Sequence, residues 1–208
     1  MNKLKAIAPI SIFGPIIKYA TIKQCDTKIE IHENYQKRSM RNRTQILAAN
    51  GILNLSIPLE KGKNKRTIKD VKISYDDNWS REHIMTLRSA YGSSPYFEYY
   101  FDRLEKIIST KHTFLFDLFE STYDFCYKVI GPIELNTTDQ YVDFREDVID
   151  LRQSKPNVKF EIPQYFQVFE DKFGHVQNLS ILDAIFNLGP ETSIILKNTK
   201  IELSNNDH

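Results

Sequence analysis

A dense group of polar side chains lies between residues 32 and 43 of this sequence. It begins with a histidine–glutamate pair, His32 and Glu33, which could exchange protons with a ligand. Three carboxamides and three guanidinium groups follow, namely Asn34, Gln36, Asn42, Arg38, Arg41 and Arg43. Guanidinium groups bind phosphates and carboxylates through two parallel hydrogen bonds, and carboxamides recognise hydroxyls and base edges. The segment predicts a site for a phosphorylated sugar or a nucleotide, with a solvated charged loop as the alternative.

A second candidate is a stripe of side chains on a predicted helix. Trp79 and His83 are one helical turn apart, and Leu87 and Tyr91 continue the same face. Histidine titrates close to neutral pH, so His83 is a candidate catalytic base, with Trp79 and Tyr91 beside the ligand. The alternative is a histidine that simply packs on the indole ring.

The loop at 61–66 carries four basic residues and could clamp phosphates or contact anionic lipid, or serve only as a solvated loop. The sequence has no glycine-rich phosphate loop and no nucleophile elbow, and its five histidines lack metal-ligand spacing. We therefore expect no metal and no dinucleotide, and leave the cofactor unknown. Cys25 and Cys126 are far apart and are expected to be free thiols.

The apolar pattern predicts the elements that position these groups. Strands are predicted for 4–10 and 27–31, so the polar segment follows a strand, where ligands of α/β proteins commonly bind. Asn50-Gly51 predicts a hairpin turn between two further strands. The other predicted elements are a helix from Gly14-Pro15 to 23, a strand over 67–75, helices over 79–91, from Pro95 onward, over 114–130 and over 178–188, and loops with at most a short strand over 133–165.

This order predicts one α/β or α+β domain over residues 1–200, with a mixed sheet in the N-terminal half and a helical C-terminal half. Ser180 and Asp183 resemble a capping box for the last helix, and residues 201–208 are expected to be a frayed tail.

The composition is ordinary for a globular protein: 208 residues, 41% hydrophobic, 26% charged, with 28 basic and 27 acidic residues. It excludes a disordered chain, a collagen-like chain and a membrane-spanning bundle, and it gives no basic excess for nucleic acid. Pro9, Gly14, Pro15 and Lys18 interrupt the N-terminal apolar run. No export signal is predicted, and a cytoplasmic location is expected.

Three blocks of the sequence together resemble the WbqC-like protein family, in the form found in Bacteroidetes. The blocks are His32-Glu33-Asn34-Tyr35-Gln36-Lys37-Arg38-Ser39 with Asn42-Arg43; Asn78-Trp79 with His83 and Ser94-Pro95-Tyr96-Phe97; and Asn178-Leu179-Ser180-Ile181-Leu182-Asp183 with Gly189-Pro190. The resemblance implies a role in surface-polysaccharide (O-antigen) synthesis, with an acyl or aminoacyl group transferred to a sugar. Many members carry a His-Gln-Pro-type block after the first strand. Here residues 8–15 keep a proline but lack the histidine and tyrosine.

Two functional hypotheses follow. As a transferase acting on a sugar or sugar nucleotide, the chain would hold phosphates with Arg38, Arg41 and Arg43 and read hydroxyls with Asn34, Gln36 and Asn42. His83, or His32 with Glu33, would take the proton from the attacking amine. As a non-catalytic module, it would bind a phosphorylated ligand or a protein partner through the same segment. The transferase hypothesis requires Arg38, Asn42, His83 and Tyr91 to share one face, and a homodimer is compatible with either.

Overall fold

The protein folds as a mixture of helices and small sheets, which confirms the predicted α/β class. The structure, a computed structural model, describes residues 3–62 and 65–204. Its buried apolar side chains form one cluster that draws on the elements of both halves of the chain.

A parallel three-stranded sheet carries the segments that form the site described below. β1 (Lys5–Pro9) is the middle strand, flanked by β2 (Asp26–Glu30) and by the two-residue β5 (Ile149–Asp150). α1 (Ile16–Gln24) connects β1 to β2. Because both neighbours pair with β1 in parallel, all three carboxyl ends meet at one edge of the sheet.

Two antiparallel hairpin-like pairs accompany this sheet. β3 (Arg43–Ala48) and β4 (Gly51–Ser56) pair around the predicted Asn-Gly turn, where Gly51 has a φ of +104°. β6 (Val158–Glu161) pairs with β7 (Lys200–Leu203) near the end of the chain. The strands are therefore spread over three small sheets and reach into the C-terminal half.

The helices lie mostly where the apolar periodicity places them. They are α2 (Trp79–Tyr91), α3 (Phe97–Ser109), α4 (Leu115–Ile130), α5 (Glu170–Phe173), α6 (Ile181–Leu188) and α7 (Thr192–Asn198). None of the helices in the described residues is long and apolar enough to cross a membrane. Cys25 and Cys126 are buried free thiols, as expected.

Three local predictions need correction. The predicted strand over 67–75 is a short 3-10 helix (Ile68–Asp70) with single bridges around it, because the Thr67 hydroxyl bonds the Asp70 carboxylate at 2.5 Å and closes a turn. Ser180 caps α6 by accepting from the Leu182 N–H, but the Asp183 side chain points into the core. Within the predicted frayed tail, residues 201–203 belong to β7, because they pair with β6; residues 205–208 lie outside the described residues.

Candidate functional site

A cavity of about 530 Å³ lies where the polar segment meets the chain that follows β5. The start of α1 supplies one wall, residues 36–41 after β2 a second, and residues 151–156 after β5 a third. Its polar and charged lining residues are Lys18, Gln36, Lys37, Arg38, Ser39, Arg41, Arg152, Gln153, Ser154 and Asn178. We call it the strand-end cavity, because its second and third walls leave the carboxyl ends of parallel strands.

A buried ion pair holds the second wall. The Arg41 Nε donates to Glu33 Oε1 at 2.7 Å, and its Nη2 donates to the other carboxylate oxygen. Burial raises the pKa of the Glu33 carboxyl, and the bond from Arg41 opposes that rise. With both carboxylate oxygens occupied by one guanidinium group, Glu33 and Arg41 position the segment and compensate each other's charge.

A second buried ion pair fixes the third wall. Arg152 donates from Nε to Asp150 Oδ1 at 2.9 Å and from Nη2 to Oδ2 at 2.6 Å. Its Nη1 reaches the carbonyl of Val142 at 2.6 Å and Glu30 Oε2 at 3.3 Å. Since Glu30 ends β2 and Asp150 ends β5, this network ties the ends of two strands together. Sequence reasoning missed the link between the two strands because Glu30 and Arg152 are 122 residues apart.

Two cations of the cavity remain exposed. Lys37 and Arg38 are solvent-exposed, and in the described residues neither forms an ion pair. Arg38 has a φ of +56°, a left-handed conformation that costs a residue with a Cβ about 1–2 kcal/mol. Gln153 and Ser154 are exposed on the facing wall. These side chains can bind an anion without first breaking an internal ion pair.

Lys18 is the residue that sequence reasoning overlooked. Its side chain contributes to the cavity wall yet has no exposed surface, and its Nζ donates to Ser11 Oγ at 2.8 Å. A Cβ at Gly14 would lie 2.1 Å from that hydroxyl oxygen, so glycine is needed for the contact. Burial lowers the pKa of Lys18 to about 7; Cys126 and Glu33 raise it in part, and Arg41 lowers it further. The available signal was a lysine between apolar residues in the first turn of α1.

A second cavity of about 530 Å³ adjoins the first, and Lys37 lines both. Asn42 lines it, but its amide is already engaged: the oxygen accepts from Tyr35 at 3.0 Å and the nitrogen donates to the Ile57 carbonyl at 2.8 Å. Lys61 and Arg66, at the ends of the basic loop, also line it. Lys63 and Asn64 of that loop lie outside the described residues.

The candidate residues on α2 line neither cavity. His83 packs edge-on against Trp79, with ring centroids 5.1 Å apart, and burial lowers its pKa to about 4. Such an imidazole is uncharged at neutral pH and is a weak base. Tyr91 is buried against Phe186, with ring centroids 5.2 Å apart. The structure thus brings Arg38 and Asn42 to adjoining cavities but does not bring His83 and Tyr91 to them.

Three further candidates also lie outside both cavity walls. His32 places its Nε2 3.0 Å from the carbonyl oxygen of Thr138. Asn34 forms a backbone bridge with Thr67, and Arg43 lies in β3 opposite Ser56. A catalytic role for His32 or His83 stays a prediction. In residues 3–62 and 65–204 no cluster of His, Cys, Asp and Glu side chains could hold a metal ion.

Comparison with known proteins identifies the family. Residues 11–140, more than half of the chain, match the model of the WbqC-like protein family. This range contains Lys18 and the segment at 36–41, whereas the wall at 151–156 lies beyond it. No curated protein and no solved structure matches the chain. The match, together with the segments that build the site, shows that the chain belongs to the WbqC-like protein family.

Proposed function

We propose that the protein binds the phosphate groups of a sugar or sugar-nucleotide precursor in the strand-end cavity and transfers an acyl or aminoacyl group to it. One observation carries the binding step. In the described residues Lys37 and Arg38 form no ion pair, whereas the guanidinium groups of Arg41 and Arg152 in the same cavity are already paired with carboxylates. Membership of the WbqC-like family, whose resemblance implies a role in surface-polysaccharide synthesis, supports the transfer step.

The dimensions and chemistry of the cavity suit such a ligand. Its volume lies within the roughly 300–1,000 Å³ typical of small-molecule sites. Arg38 offers a fork of donors to phosphate oxygens, and Gln153 and Ser154 on the opposite wall can hydrogen-bond to sugar hydroxyls. The preformed walls reduce the ordering cost of binding.

Four of the predicted residues take roles that follow from their contacts. Arg38 and Gln36 face the ligand, whereas Arg41 and Glu33 are positioning residues because each is the other's partner. His83 and Tyr91 do not line the cavity with Arg38, so the shared face that the transferase hypothesis required of them is not formed there. The transfer proposed here therefore assigns no proton transfer to His83. In direct transfer the substrate amine or hydroxyl attacks the acyl carbon of a thioester or acyl adenylate, and the thiol or AMP leaves. The proton of the attacking group goes to the leaving group or to solvent, so no nucleophile from the protein is needed.

A thermal-shift titration with UDP-glucose, UDP-N-acetylglucosamine and inorganic phosphate tests the binding step. A ligand at 100 times its Kd adds about 2.7 kcal/mol of stability, which a melting curve resolves. We expect Arg38→Ala to abolish the shift, and Arg81→Ala, an exposed arginine on α2 outside the cavity, to keep it. Equal shifts in both variants would contradict the proposed site.

A non-catalytic binding module is the second candidate function. Two observations favour it: residues 8–15 contain no histidine, and neither His32 nor His83 lines the cavity. Incubation of the wild-type protein with a bound nucleotide sugar and acyl thioesters or acyl adenylates, followed by mass spectrometry, separates the two. An acylated sugar lost in Arg38→Ala supports the transferase; tight binding without product from any donor supports the module.

A further inference from the structure

The described residues contain three buried cations, and only one of them lacks a carboxylate partner. Arg41 pairs with Glu33, and Arg152 pairs with Asp150 and Glu30. Lys18 forms no ion pair and has only the Ser11 hydroxyl as a hydrogen-bond acceptor. A protonated amine carries three donors, so an ammonium group there would be both unpaired and undersatisfied.

The groups that the structure describes around Lys18 compensate its charge only in part. α4 presents the Phe119 ring, whose centroid is 4.8 Å from Nζ, and the Cys126 thiol. That thiol donates to the Tyr19 hydroxyl, and burial raises its pKa to about 12, so it is uncharged. From the segment after β2 come Arg41, which repels a proton on Lys18, and Glu33, which Arg41 already occupies.

Lys18 is also one of the residues that line the strand-end cavity, although none of its surface is exposed. An anion in the cavity would provide the charge that the surrounding protein does not. Lys37 and Arg38, in the wall formed by residues 36–41, add two more positive charges to the same cavity. Lys18 differs from Lys37 and Arg38 because it is buried, and because burial lowers its pKa to about 7.

We propose that Lys18 is a proton-linked anchor of the site: an anionic phosphate group binds together with one proton, which the Lys18 amine takes up from solvent. The ligand keeps its atoms, and the amine becomes an ammonium group that faces the phosphate. This inference rests on the proposed function, because it requires an anion in the strand-end cavity.

Proton uptake gives binding a definite pH dependence. The pKa of Lys18 is lowered to about 7 in the free protein, and a bound phosphate group raises it again. Above pH 7 the amine must acquire its proton on binding, so affinity falls by about tenfold per pH unit until the pKa of the complex is reached. A site built only from permanently charged guanidinium groups would not show this slope.

Isothermal titration calorimetry with UDP-glucose at pH 8, in two buffers of different ionisation enthalpy, measures the proton directly. Its pyrophosphate diester does not titrate near this pH, so the ligand adds no proton change of its own. At pH 8 we expect the wild-type protein to take up about 0.9 proton, given a pKa of about 7. Lys18→Met should bind without uptake. Lys37→Met, at an exposed lysine of the same cavity, should bind more weakly and keep the uptake.

A second measurement keeps the inference testable if Lys18→Met does not fold. The ¹³Cε lysine resonances of the free wild-type protein should include one that titrates near pH 7 and moves to higher pH with UDP-glucose. Binding with no such resonance, or with equal proton uptake in wild type and Lys18→Met, overturns the inference alone. No binding of UDP-glucose or inorganic phosphate overturns the proposed function and the inference together.

Discussion

Replacing the Lys18 ammonium with an apolar side chain of similar shape should stabilise the protein. Lys18→Met keeps the unbranched chain that packs beside Phe119 and removes the one buried cation, among residues 3–62 and 65–204, that has no carboxylate partner. Methionine adapts to irregular apolar surroundings, so the packing should be retained.

The magnitude follows from the pKa. Lowering it from the ordinary 10.5 to about 7 corresponds to roughly 5 kcal/mol of unfavourable folding free energy at low pH, at 1.36 kcal/mol per pKa unit. Loss of the hydrogen bond to Ser11 destabilises the variant by about 1 kcal/mol or more, which reduces this gain. The expected net gain for Lys18→Met at pH 6 is about 1–4 kcal/mol, the range seen when buried charges are replaced by apolar groups.

Urea denaturation of both proteins at pH 6 and pH 9.5 tests in which direction the difference in their stability changes with pH. Between pH 7 and 10.5 the unfolded lysine holds a proton that the folded one has released, so wild-type stability rises with pH in that window. The advantage of Lys18→Met should therefore shrink by about 3 kcal/mol from pH 7 to pH 9.5. A gap that stays constant with pH, or a variant less stable at pH 6, would refute the account of Lys18 as a desolvated amine.

Three other perturbations follow from the same contacts. Glu33→Gln leaves Arg41 buried without a charge partner and should cost about 3–5 kcal/mol in urea denaturation, whereas Glu82→Gln on the exposed face of α2 should cost little. Arg38→Gly should be about 1 kcal/mol more stable than Arg38→Ala, because glycine adopts the left-handed backbone at φ +56° without strain. Both variants should lose the thermal shift with nucleotide sugars. Equal stability of the two variants would argue against strain at this position. Burial raises the pKa of Asp183 to about 6. Between about pH 4 and 6 the folded state therefore holds a proton that the unfolded state has lost. Wild-type stability falls as pH rises through this window. Asp183→Asn, which does not titrate, should therefore gain on the wild type by about 2–3 kcal/mol between pH 4 and pH 6.5, and parallel pH profiles would contradict this.

Local signals in the sequence account for the elements that build the walls. The Asn-Gly dipeptide places the β3–β4 turn, and the apolar periodicity of 79–91 matches α2 residue for residue. The strand predicted over 67–75 fails because Ile68, Val71 and Ile73 are buried without a continuous strand partner. Burial on a core can produce an alternating pattern without a sheet, and sequence periodicity does not distinguish the two.

The sequence predicted one wall of the candidate site but not the wall opposite it. The density of polar residues singled out the segment that carries Gln36 and Arg38, which lines the strand-end cavity beyond the carboxyl end of β2. The opposite wall comes from residues 151–156, which join the site through a parallel pairing of two residues between β1 and β5. So short a strand has no periodicity to detect. Residue type alone also could not separate Arg41, which is internally paired, from Arg38, which is not.

The distribution of charge in the cavity argues for a ligand more strongly than its shape does. A fold selected only for stability would pair or remove Lys18, as it pairs Arg41 and Arg152. Instead Gly14 leaves space for Ser11 beside that amine, and Arg38 keeps a strained backbone at the rim. The buried Lys18 amine and the strained Arg38 backbone both cost stability in the free protein, and both residues line the same cavity. Binding an anion there would offset both costs, which is the pattern expected where stability is exchanged for function.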